Sequence, residues 1–85
     1  MQIVKVIPRK NYSLEVTFLS GEKGLFSMTE LIESKIYGCL KDENMFSHVH
    51  IDPIAGTVAW LCGLDISPTL IYKSMTPIVK EINSV

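Results

Sequence analysis

The sequence predicts a small α+β fold: a mostly antiparallel sheet, built from an N-terminal three-stranded meander and a second hairpin, together with short helices. Three observations carry that expectation. Apolar and polar residues alternate from Tyr12 to Phe18, the period-2 signature of a half-buried strand. At Ser27 the pattern changes to short helical spacing, and from His48 it returns to β-branched, strand-like residues broken by a turn.

Ile3–Ile7 is a β-branched run closed by Pro8, which suits a first strand. Arg9-Lys10-Asn11 is a polar turn into the alternating strand, where Tyr12, Leu14, Val16 and Phe18 share one side. Ser20-Gly21-Glu22 has turn chemistry, and Lys23–Met28 is the expected return strand. Connections this short permit antiparallel pairing only, because a parallel crossover needs a dozen or more residues.

Ser27-Met28-Thr29-Glu30 has the form of a capping box and is expected to open a short helix carrying Leu31, Ile32, Ile36, Tyr37 and Leu40. Asp42 is expected to cap a further turn bearing Met45 and Phe46. A strand over His48–Ile51, the turn Asp52-Pro53-Ile54-Ala55-Gly56 and a strand over Thr57–Leu61 form the second hairpin. Gly63 marks a tight turn. Ser67-Pro68 is a helix start with serine at the N-cap and proline at the first helical position. Thr76-Pro77 repeats that signal, so residues 76–85 are expected to form a short amphipathic helix or a tail.

The whole chain of 85 residues is expected to be one domain. Its apolar fraction of 47% with 20% charged residues fits a packed core rather than disorder. Eight basic and nine acidic residues are scattered along the chain for a net charge of −1, which argues against direct nucleic-acid binding. Cys39 and Cys62 form no C-x-x-C and cannot by themselves fill a four-ligand zinc site; two reduced, partly buried thiols are expected. The N-terminus has no long apolar run, so a membrane span or signal peptide is not expected, and a cytoplasmic location is.

One stretch carries a family resemblance: Trp60-x-x-Gly63-x-Asp65-x-x-Pro68-x-x-x-Tyr72, preceded by Asn11-Tyr12-x-Leu14-x-Val16-x-Phe18 and the Gly21 turn. Leu31, Leu40, Asp42, Phe46, Val49, Asp52 and Thr57 follow in compatible order. Over residues 1–72 the chain resembles the domain of unknown function 2442 family, leaving 73–85 as a C-terminal extension. Where members often have Trp-Pro-Asn-Gly, this chain has Trp60-Leu61-Cys62-Gly63, and where they often have aspartate at the helix start it has Ser27. The resemblance implies a small, mainly bacterial α+β fold with no established reaction. It also implies a context in which some relatives carry an added helix-turn-helix domain and some sit in gene pairs of the toxin–antitoxin kind.

Candidate chemistry is sparse. If His48, His50 and Asp52 lie alternately on one strand, two imidazoles and a carboxylate share a face and could meet one metal ion, although Val49 and Ile51 would then point inward. Asp65 before Ser67-Pro68 is either a general base or, more simply, a holder of neighbouring backbone N–H groups. Trp60 is expected to anchor the core, with Tyr12, Tyr37 and Tyr72 around it. No nucleophile–base pair or phosphate loop stands out, and no cofactor is expected. The expectation is a non-catalytic interaction module that binds another protein or a second copy of itself, using a sheet edge or the apolar stripe containing Ile78 and Ile82. The alternative is a small-molecule or metal-binding protein using the His48/His50/Asp52 face.

Overall fold

Period-2 patterning becomes a four-stranded antiparallel sheet in the computed structural model, which describes residues 1–78. Strands β1 (Ile3–Arg9), β2 (Ser13–Phe18) and β3 (Lys23–Ser27) form the meander. A two-residue strand, Thr76–Pro77, closes the far edge against β3. Alternation in β2 is complete: Leu14, Val16 and Phe18 are buried, and the residues between them are half-buried. A register shift between Ile3 and Lys5 inserts Val4 as an extra residue, which leaves Val4 and Lys5 both exposed while Ile3 stays in the core.

Met28–Ile71 wraps over one face of this sheet. It contains two 3-10 turns (Leu31–Glu33 and Gly38–Lys41) and helix α1 (Glu43–Ser47). The two-stranded sheet of β4 (His50–Asp52) and β5 (Thr57–Ala59) follows, then helix α2 (Pro68–Ser74). The core lies between: Ile3, Leu14, Val16, Phe18 and Phe26 from the sheet meet Met28, Ile32, Leu40, Phe46, Val58, Trp60, Ile66 and Ile71 from the cover. The strand at Thr76–Pro77 is β6 in chain order.

Local signals at two helices act as the sequence indicates. Asp42 accepts from the Asn44 N–H at 3.0 Å and caps α1, and Ser67 Oγ accepts from the Thr69 N–H at 3.2 Å with Pro68 opening α2. Two other helix signals do not. Ser27 ends β3, its Oγ accepts from the Thr29 N–H, and Glu30 makes no side-chain cap bond, so the capping box is not formed and only a 3-10 turn follows. Thr76-Pro77 is strand, not helix start, because the Ile78 N–H is drawn to the Lys23 carbonyl at 3.0 Å. Gly24 allows this docking: a Cβ there would stand 2.6 Å from Met75 Cγ. The expected helix or tail beyond residue 78 lies outside the described residues, and so does Ile82.

Candidate interaction surface

Among the described residues, one sheet face is covered and the other is open. Antiparallel register places Ile7 opposite Glu15, Glu15 opposite Leu25, and Leu25 opposite Thr76, so these residues share the uncovered face. Ile78, hydrogen-bonded to the Lys23 carbonyl, adjoins them. Leu25 is 38% exposed and Ile78 41% exposed. Here they are framed by polar groups, with the Arg9 guanidinium donating to Glu15 Oε1 at 2.7 and 3.0 Å.

The open face continues into a broad groove of about 1320 Å³ between the β1–β2 turn and α1, with Tyr12, Leu25, Phe46 and Ile78 among its lining. A second groove of about 690 Å³ lies between Glu22, Tyr72 and Met75, and Ile78 borders both. The turn at the first groove is strained: Asn11 and Tyr12 have φ of 58° and 55°. Asparagine tolerates the left-handed region, but a tyrosine there is uncommon. Three contacts hold Tyr12. Its hydroxyl donates to the Lys41 carbonyl at 2.5 Å, its ring meets Phe46 edge-on at 5.3 Å, and its carbonyl accepts from the Met28 N–H.

Residues of the family-like motif shape a turn and the start of α2. Trp60 is buried, its indole N–H donates to the Phe46 carbonyl at 3.0 Å, and its backbone closes the turn in which Gly63 has φ of 94°. Asp65 is exposed, and it works through its backbone rather than its carboxylate. Its carbonyl accepts from the Tyr37 hydroxyl at 3.0 Å, and the residue bridges to Ala59. The expectation that its carboxylate fixes the helix start is corrected, since Ser67 does that. Pro68 opens α2, and buried Ile71 seats the helix in the core. The tyrosines do not cluster on Trp60: Tyr12 reaches it only through Phe46, while Tyr72 packs edge-on against Phe18 at 5.4 Å. The Tyr72 hydroxyl donates to Glu22 at 3.0 Å, and that bond raises the phenol above its ordinary value.

The structure also separates the proposed metal ligands. His48 ends α1 instead of beginning a strand, and its Nδ1–H donates to the Asn44 carbonyl at 2.6 Å. His50 lies exposed on β4. Asp52 turns its Oδ1 to the N–H groups of Ile54 and Ala55, at 3.0 and 3.3 Å, and so shapes the hairpin loop. The alternating-strand premise fails at its first member, because a helical residue does not continue the pleat. Among the described residues there is no group of three or more potential metal ligands.

Leu25 was legible as a return-strand residue but not as a site. The signal is its register: it sits between Lys23 and Ser27 on the polar side of an alternating strand, where leucine is out of place. The thiols depart from expectation in the other sense, since Cys39 and Cys62 are both exposed.

The fold and site define a class: a small α+β domain with one sheet face buried under irregular chain and the other open, carrying an apolar patch beside a groove. The sequence comparison makes the assignment specific. The chain belongs to the family described as Protein of unknown function (DUF2442), whose model matches residues 3–77 and so extends past α2 through β6. No curated protein and no solved structure matches the chain. No helix among the described residues is long and apolar enough to cross a membrane.

Proposed function

We propose that this chain is a non-catalytic protein-interaction module, acting in the cytoplasm as one member of a small-protein pair of the toxin–antitoxin kind, and that the open sheet face is its contact surface. One observation carries the reading: Leu25 and Ile78 are exposed on a sheet face that is open among the described residues, and both line the larger groove. Apolar anchors surrounded by polar groups are the usual anatomy of a protein contact, with the rim providing register and the anchors the affinity. The Arg9–Glu15 pair is suited to the rim role, since an exposed ion pair adds about 0–1 kcal/mol to stability. The near-neutral charge favours a protein partner over a nucleic acid.

The test compares the tagged wild type with the Leu25→Asp/Ile78→Asp double variant, by light scattering and by quantitative pull-down from the native cells. A stoichiometric partner, or a second copy of the chain, is expected with the wild type and lost from the variant, while the variant melts within a few degrees of the wild type. Identical recovery from the two proteins would remove the open face as the contact surface.

A further inference from the structure

Two thiols separated by 23 positions in the sequence meet at the surface. Cys39 Sγ and Cys62 Sγ are 2.8 Å apart, inside ordinary sulfur–sulfur contact, and both cysteines are exposed. Cys39 lies in the 3-10 turn Gly38–Lys41, and Cys62 lies in the tight turn between Trp60 and Leu64. The same two segments are tied a second time, because the Tyr37 hydroxyl donates to the Asp65 carbonyl at 3.0 Å. The thiols therefore meet because the fold holds their backbones together. Both cysteines are exposed, which leaves room for a small reagent to approach.

We infer that Cys39 and Cys62 are a dithiol modification site that small disulfides of the glutathione class convert to an intramolecular disulfide, stapling the Gly38–Lys41 turn to the Trp60–Leu64 turn. The exchange needs two displacements. The thiolate of one cysteine attacks a sulfur of the small disulfide, forms a mixed disulfide and expels one small thiolate. The second cysteine, as thiolate, attacks the protein-side sulfur of that mixed disulfide and expels the other. Two protein S–H groups are oxidised by two electrons, one small disulfide is reduced to two small thiols, and the two protons pass to those thiols. A dithiol reductant reverses the sequence. The staple closes a loop that holds α1, β4 and β5, which have few ladder hydrogen bonds of their own. Closing such a loop removes conformations from the unfolded chain and so favours the folded one.

The experiment treats the full reduced chain with oxidised glutathione, followed by non-reducing peptide mapping and thermal melting. The expected product is a monomer with a linked Cys39–Cys62 peptide and no retained glutathione, melting about 5–15 °C above the reduced chain and returning to the starting temperature with dithiothreitol. Cys39→Ser and Cys62→Ser are each expected to keep one glutathione and to show no such rise. Both sites are exposed and serine is close in size, so the reduced variants should melt near the wild type; that measurement establishes that they fold. Two glutathiones retained on the wild type, cross-linked dimers, or a linked peptide without a higher melting temperature would each overturn the inference.

Discussion

The meander and the segment that covers it supply comparable parts of one core, but different bonds hold them in place. In β1–β3, backbone ladders fix the register, and side chains only have to alternate. Across Met28–Ile66 the backbone has short turns, a five-residue helix and a three-residue strand pair, so position is set by side chains reaching to distant carbonyls. Trp60 reaches Phe46, Thr57 reaches Ile66 at 2.5 Å, Tyr12 reaches Lys41 and Tyr37 reaches Asp65. A ladder distributes its stabilisation over many small contributions, while a single side-chain-to-carbonyl bond concentrates it in one residue. The same substitution should therefore cost far more in the cover than in the sheet.

The largest effect is expected at Trp60. Trp60→Ala removes the ring from beside Phe46 and the indole N–H from the Phe46 carbonyl, which keeps the longer bond from the Val49 N–H at 3.3 Å, a loss of about 3–5 kcal/mol. A domain of this size has little more than that in reserve. Loss of the cooperative transition in urea, followed by circular dichroism, is the expected readout. A folded Trp60→Ala protein with an unchanged midpoint would mean that the cover is held by something other than its anchors.

A sharper comparison makes one chemical change in both regions. Thr57→Val deletes the hydroxyl that donates to the buried Ile66 carbonyl and should cost about 1–3 kcal/mol. Thr17→Val, on the open face of β2, should change stability by no more than about 0.5 kcal/mol, since that threonine lies on the partly exposed side of the ladder. Equal costs by chemical denaturation would break the contrast.

The smallest effect belongs to the exposed bond between Tyr72 and Glu22. The Glu22 carboxylate accepts from the phenol and, by that bond and by its charge, holds the phenol above the ordinary value of 10.0. A group whose pKa is raised on folding stabilises fully below its unfolded value and loses that contribution as pH rises through the folded one. Tyr72→Phe should therefore lie slightly below the wild type, by a constant margin from neutral pH to about pH 10, with the two converging above it. Parallel denaturation curves at increasing pH measure this. A margin that widened above pH 10 would show that the bond is not its source.

How far the sequence could be read follows the same division. Leu14, Val16 and Phe18 announced their burial because strand alternation is a local rule, and Asp42 and Ser67 announced their caps because a cap involves only the next two or three residues. Ser27 misled because a strand end and a helix N-cap use the same side chain, and the ladder to Ser13 extended β3 through that residue. His48 misled for a related reason. Two β-branched neighbours suggest strand, but the helix begun at Asp42 runs until its carbonyls take up the His48 N–H.

Sequence by itself determined the α+β class, the meander, the second hairpin, the caps at Asp42 and Ser67 and the family, since each is written in spacing within a few residues or in an ordered motif. Tertiary structure alone decided which chain segment covers the sheet, that Thr76–Pro77 joins the sheet as β6, that Leu25 and Ile78 line one groove, and that Cys39 and Cys62 touch. Those are relations between residues tens of positions apart. They depend on how the irregular cover settles on the sheet, and no local periodicity encodes that packing.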